Sequence, residues 1–326
     1  MGMRASCLLA TLLIFARCTA PNGNLAGGGS GGSGGGGSGG SSGGGSGGSG
    51  GGGSGGGTIS GASGPLVFGV FGDARPANIP PSSAPSAGYP TQVLTGIFNL
   101  AQLKGAKFMI GTGDYMYADT QAQVDAQLAL FGQAHAGFSG PLYLTMGNHE
   151  CSGYTDSNCP ALNEYPNVRS FVKLLPEGVS APWYRVDFDT PSGKAKFLFV
   201  AANAWSTAQE DWLKTQLADP TTYTIVVRHE PASGTHGTAP GAQPSEALLT
   251  GAAYTLELLG HTHEYRHDDL QHVISGNAGA PLSGGSHYGF LLISQGSDGK
   301  LTATEYDEAT GQASDTWTIS ADGKSS

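Results

Sequence analysis

Five short apolar runs in this 326-residue chain end alike, each stopping at polar residues of ligand type. The run at 66–71 leads into Gly72-Asp73, that at 107–112 into Gly113-Asp114, and that at 141–146 into Gly147-Asn148-His149-Glu150. The run at 224–227 leads into Arg228-His229, and that at 254–259 into Gly260-His261-Thr262-His263. A further run at 196–200 reaches Asn203 without a clear ligand. Continuous apolar runs of this length suit strands buried on both faces. Between them, 92–104, 121–131 and 209–217 carry apolar residues at helical spacing. Strands alternating with helices predict an α/β fold, with a largely parallel sheet and flanking helices. Ligands of such sheets gather beyond the carboxyl ends of the strands, so all five polar clusters can converge in one place.

The tail reads differently. Segments 289–294, 301–306 and 314–319 look like strands joined by tight turns at Ser297-Asp298-Gly299 and Ala309-Thr310-Gly311. They are expected to extend a second sheet. The Pro/Ser/Ala-rich stretch 75–89 is expected to be a loop near the site.

At the other end, residues 1–18 read as an export signal: Arg4 supplies a positive start, and an apolar run too short to span a bilayer comfortably reaches Cys18. Residues 27–57 contain only Gly and Ser, with no side chains to offset the entropy of ordering. An apolar run ending at a cysteine, followed by such a tether, resembles a bacterial lipoprotein with its lipid on Cys18. Arg17 departs from that pattern, because a small residue is expected there. The chain is thus expected to be exported, either lipid-anchored to a membrane or secreted or periplasmic. Its expected parts are a signal at 1–18, a linker at 19–63 and one domain at 64–320. In an exported protein, Cys151 and Cys159 in one polar loop are expected to form a disulfide rather than a metal site.

Asp73, Asp114, Asn148, His229, His261 and His263 supply the oxygen and imidazole donors that two closely spaced cations require. Gly-Asp, Gly-Asp-x-x-Tyr, Gly-Asn-His-Glu, a strand ending in His, and Gly-His-x-His, in that order, resemble the calcineurin-like metallophosphoesterases. The resemblance implies a four-layer α/β/β/α sandwich with two mixed central sheets. It also implies that Asp114 bridges two metals, and that Asp73, Tyr117 and His263 complete the first site. Asn148, His229 and His261 would complete the second, and a metal-activated hydroxide would attack a phosphate ester. His149 would contact the phosphate or protonate the leaving oxygen.

Most of that superfamily carries Asp-x-His at the first cluster, whereas this chain has Asp73-Ala74-Arg75. Arginine stays protonated and cannot replace the histidine. Tyr117, three residues after Asp114, resembles the arrangement of the purple acid phosphatase branch, with Tyr115 as a rival for the role. Tyrosinate ligation implies Fe(III) in the first site, with Zn, Fe(II) or Mn in the second. Arg75 either aims at the substrate phosphate or faces solvent or a nearby acid. His236 is a loop residue within possible reach of substrate. Glu150 and Glu264 either orient the histidines before them or lie on the surface. His135 is expected at a helix cap or exposed, and His267, His272 and His287 on the surface or behind the ligands.

The resulting expectation is an exported phosphoesterase acting on small phosphate esters. The formal charge of −10 argues against a nucleic-acid partner. The alternatives are a nucleotide-directed phosphodiesterase of the same superfamily and a catalytically dead, surface-tethered binding module. The oligomeric state is not legible.

Overall fold

The computed structural model describes residues 56–151, 159, 165–233 and 239–325. The expected signal, Cys18, most of the Gly/Ser stretch and His236 lie outside the described residues. The first half contains β1 (Thr58–Ser60), β2 (Val67–Phe71), α1 (Thr91–Leu103), β3 (Phe108–Gly111), α2 (Gln121–Ala134), β4 (Leu142–Leu144) and α3 (Pro166–Val172). Next come β5 (Tyr184–Thr190), β6 (Gly193–Val200), α4 (Thr207–Ala218), β7 (Tyr223–Arg228), α5 (Ala242–Leu249) and β8 (Leu256–Leu259). The chain closes with β9 (Tyr265–His267), β10 (His272–Ser275), β11 (Gly289–Gln295), β12 (Leu301–Asp307) and β13 (Ala313–Ile319).

The expected runs are all strands, but they do not share one largely parallel sheet. One sheet has the order β1-β5-β6-β7-β8-β10-β9 and the other β13-β12-β11-β2-β3-β4. Both are mixed: β2, β3 and β4 run parallel, whereas β11 pairs antiparallel with β2. In the other sheet β6, β7 and β8 run parallel and β5 pairs antiparallel with β6. The tail strands do extend the second sheet, as an antiparallel meander. The folded part also begins earlier than residue 64, because β1 pairs in register with Arg185–Asp187.

The two sheets separate because their inner faces are aromatic. Phe68 of β2 meets Phe197 of β6 edge-on at 5.2 Å, and Phe108 of β3 stacks on Phe188 of β5 at 4.5 Å. Alternate residues point outward, as the pleat requires. Phe71 leaves the inner face and packs on Phe98 of α1 at 5.1 Å. Leu198 and Val200 leave it on the other side and pack with Trp212 and Leu213 of α4 and Leu249 of α5. The layers are therefore α/β/β/α. Helix α2 starts at a capping box in which Thr120 and Gln123 satisfy each other's backbone N–H. His135 stands at its C-terminal cap, with its ring on Phe98 and Phe131.

Cys151 and Cys159 are joined in a disulfide, with their Cα atoms 5.4 Å apart. Among the described residues no helix is long and apolar enough to cross a membrane.

Candidate metal centre

Each expected ligand follows the carboxyl end of a parallel strand: Asp73 after β2, Asp114 after β3, Asn148 after β4, His229 after β7, and His261 and His263 after β8. The two sheets bring these ends to a common edge. Asp73, Asp114, His261 and His263 have φ of 56°, 61°, 74° and 57°, and they are the only non-glycine residues with positive φ among the described residues. L-residues adopt this left-handed region at a cost, and such strain gathers where side chains must converge on a ligand.

Hydrogen bonds fix the direction of the histidines. The Nδ1–H of His229 donates to the Thr112 carbonyl at 2.8 Å, leaving Nε2 to face the site. That Nε2 lies 3.2 Å from Asn148 Oδ1, 3.3 Å from Asp114 Oδ1 and 3.3 Å from His261 Nδ1. His261 Nδ1 is in turn 3.2 Å from Asn148 Oδ1. Donors bonded at about 2.1 Å to one cation stand about 3.0–3.4 Å apart, so Asn148, His229 and His261 fit a metal of ordinary bond length, with Asp114 at the same spacing from His229. The Nδ1–H of His263 donates to the Pro281 carbonyl at 3.0 Å, turning Nε2 toward Asp73 Oδ1 at 3.5 Å. Asp73 Oδ2 accepts the His261 backbone N–H at 2.8 Å, while Oδ1 is buried with no hydrogen-bond partner.

The electrostatics point the same way. Burial pushes the Asp73 carboxyl up, against the pull of His229 and His263. Burial would raise Asp114 as well, but His149, His229 and Arg75 hold it well below the usual carboxylate range. His229 is raised despite burial, chiefly by Asp114. Anionic oxygens packed against imidazoles in a water-poor place suit a cation.

Around this set the other expected residues take clear places. His149 is buried, with Nε2 3.6 Å from Asp114 Oδ2 and its ring 4.3 Å from that of Tyr117. Tyr115, the rival to Tyr117, is fully buried among Phe71, Phe131 and Phe171, and its hydroxyl accepts the Gly113 N–H at 3.1 Å. It points away from the site. Arg75 turns inward: Nε lies 3.4 Å from Asp114 Oδ2, Nη2 donates to His263 Nε2 at 3.0 Å, and the guanidinium lies 4.9 Å from the Tyr117 ring centre. Loop 75–89 lies near the site, as expected, tied to α2 by Gln123, whose Nε2 donates to the Pro80 carbonyl at 2.6 Å.

Glu150 does not orient His149. Its carboxylate accepts the backbone N–H groups of Asp114, Tyr115 and Gly147 at 2.8, 2.7 and 2.9 Å, binding the β3 and β4 loops together. Glu264 takes the surface role, pairing with Arg266 at 2.7 Å. His287 pairs with Glu305 at 3.5 Å, and His267 stacks on Trp317 at 4.0 Å. His272 enters a separate network with Glu246, Glu257 and Asp269.

Three contributors are not singled out by the sequence. Buried Gln127 grips the backbone of Tyr117, accepting its N–H at 2.7 Å and donating to its carbonyl at 2.9 Å. Its signal is a polar residue on the apolar face of α2, between Val124 and Phe131. Buried Asn167 donates to the carbonyls of Ala118 and His149 at 2.9 and 2.8 Å, and no local pattern announces it. Glu230, directly after His229, is buried beside the histidines, and its carboxyl is pushed up to about 7 by burial, with His229 opposing.

A sequence profile of the calcineurin-like phosphoesterases matches residues 91–265. No curated protein sequence matches the chain. Among solved structures it is similar to a purple acid phosphatase from yellow lupin (Lupinus luteus) seeds, with 18% identity and a TM-score of 0.59. That match covers 79% of this chain and 54% of the lupin enzyme, so the chain spans about half of that relative's length. A dimetal phosphatase from Danio rerio matches with 13% identity and a TM-score of 0.52, over 78% of this chain and 99% of that one. PhoD matches with 10% identity and a TM-score of 0.50, over 80% of this chain and 70% of its own. At these identities the likeness is one of fold. The profile match, spanning more than half of the chain and running from α1 to the start of β9, establishes that this protein belongs to the calcineurin-like phosphoesterase family.

Proposed function

We propose that this protein is an exported two-metal phosphoesterase acting on small phosphate esters, and that Asp73, Asp114, Tyr117, Asn148, His229, His261 and His263 hold the two metals. The convergence of Asn148, His229 and His261 at 3.2–3.3 Å, with Asp114 3.3 Å from His229, is the observation that carries the reading. When bound, the cations would activate the attacking water and offset the charge on the phosphoryl oxygens. Asp114, flanked by Arg75, His149 and His229, would help to hold both metals. His149 holds a proton donor beside it and would meet the leaving oxygen. Arg75 brings a permanent positive charge to the same place and would receive the phosphate oxygens. The complete donor set disfavours a dead binding scaffold.

The purple-acid-phosphatase-like form of this reading rests on Tyr117, whose ring lies against His149 and Arg75 while Tyr115 is buried elsewhere. A tyrosinate at the first position would select Fe(III), with Zn, Fe(II) or Mn at the second. Export is supported by the N-terminal sequence and the Cys151–Cys159 disulfide. Lipidation of Cys18 would be checked by fatty-acid labelling.

Hydrolysis of an aryl phosphate by the metal-loaded chain is the test. Asp114→Asn should lower kcat by at least about 1,000-fold. Arg75→Ala should raise KM several-fold. The iron-loaded protein should show a visible charge-transfer band that Tyr117→Phe removes. Full activity in Asp114→Asn would exclude the mechanism, and iron bound without colour would exclude the tyrosinate.

A further inference from the structure

We infer that Glu230 is an additional carboxylate ligand at the second metal position, one that makes this site anionic and favours a six-coordinate ion such as Mn(II) over four-coordinate Zn(II). The inference rests on the two-metal reading and deepens it. Glu230 follows His229 at the end of β7, and its main-chain carbonyl is held by Arg228 Nε at 3.0 Å. The residue is 1% exposed, and neither carboxylate oxygen has a hydrogen-bond partner. One of these oxygens, a ring nitrogen of His229 and a ring nitrogen of His261 all lie within 4.8 Å of one another. The buried Asn203 amide comes close enough to act on this carboxylate, but makes no hydrogen bond of ordinary geometry with it.

A buried carboxylate with no well-formed donor is costly, and the usual resolutions are a hydrogen bond, an ion pair or a metal. Arg228, the nearest arginine in sequence, directs its guanidinium to Ser245, Glu246 and Glu257 instead. A cation held by His229, His261, Asn148 and Asp114 would supply the missing partner. A carboxylate added to two imidazoles, an amide oxygen and a second carboxylate gives five protein donors. That number exceeds what a tetrahedral ion takes, and the added donor is hard oxygen, which suits Mn(II).

The test measures metal affinity rather than turnover. Metal-free full-length wild type and Glu230→Gln are titrated with Mn(II) and with Zn(II) by chelator competition, with stoichiometry from elemental analysis and melting temperatures taken without metal. Partners that only orient ligands are worth about 10–100-fold in affinity, so a direct ligand should exceed that. Expected is a Mn(II) ion at the second position of wild type, held more than about 100-fold more weakly in Glu230→Gln. A smaller loss is expected for Zn(II), with a metal-free melt no lower than that of wild type. A Mn(II) loss under that bound, an equal loss for both ions, or a variant that melts lower without metal would each overturn the inference and leave the two-metal reading standing. Wild type that takes up neither ion would remove both.

Discussion

Glu150 gives the sharpest test of how the site is held. Its carboxylate is fully buried and accepts three backbone N–H groups, from Asp114, Tyr115 and Gly147, at 2.7–2.9 Å. Glu150→Ala would strand all three, and an unsatisfied buried N–H costs about 1–3 kcal/mol, so the loss is about 3–9 kcal/mol. One term works against it. Burial, with Asp114 beside it, pushes the Glu150 carboxyl from 4.5 up to about 8. Its folded pKa is raised, so the stability tied to its proton is present below 4.5 and lost as pH rises through about 8. At pH 6 that costs about 2 kcal/mol, which the substitution removes. The stranded donors win, by about 4 kcal/mol in the middle of the range. At about 2–4 °C per kcal/mol for a domain of this size, the metal-free variant should melt about 8–16 °C lower. Glu150→Gln keeps one accepting oxygen, which can serve the Asp114 and Gly147 N–H groups, and should fall between the two. Circular dichroism melts at pH 6 read this directly. A Glu150→Ala melt within about 2 °C of wild type would show that the three N–H groups do not depend on this carboxylate.

Two other perturbations follow from the coordinates. At Gly147 an added Cβ would lie 2.3 Å from Asp114 Oδ1 and 2.7 Å from its backbone N, so Gly147→Ala should cut Mn(II) affinity by more than about 10-fold while the far-ultraviolet spectrum stays native; unchanged affinity would mean that this close approach is not required. His272 is raised from 6.5 to about 9 by Glu246 and Asp269, and Glu246 is lowered from 4.5 to about 2 by His272 and Arg228. The His272 contribution is complete below 6.5 and lost as pH rises through about 9, whereas that of Glu246 is complete above 4.5 and lost as pH falls through about 2. The difference in melting temperature between wild type and His272→Ala should therefore shrink steadily from about pH 6.5 to about pH 9.5, and a constant difference would count against the pairing.

The sequence by itself determined the strands that carry the site and the types of donor they deliver. Apolar runs that stop at Gly-Asp, Gly-Asn-His, Arg-His and Gly-His-x-His are local patterns, and β2, β3, β4, β7 and β8 fall on them. Each ligand lies within a few residues of its strand, so little beyond strand direction is needed to place it. The division of the site-bearing strands between two mixed sheets was legible only through the family resemblance. Strand patterning puts the five site-bearing runs in one largely parallel sheet and only the tail strands in a second, because an apolar run does not say whether its neighbour is a helix or another sheet. Phe68, Phe108, Phe188 and Phe197 decide that only when they meet. Tertiary structure alone also turned Arg75 inward onto Asp114 and buried Tyr115 away from Tyr117. It brought Glu150, Gln127 and Asn167 to backbone groups on other loops. Those contacts join residues up to 49 apart in the chain, and a side chain that serves distant backbone leaves no period or spacing in the sequence.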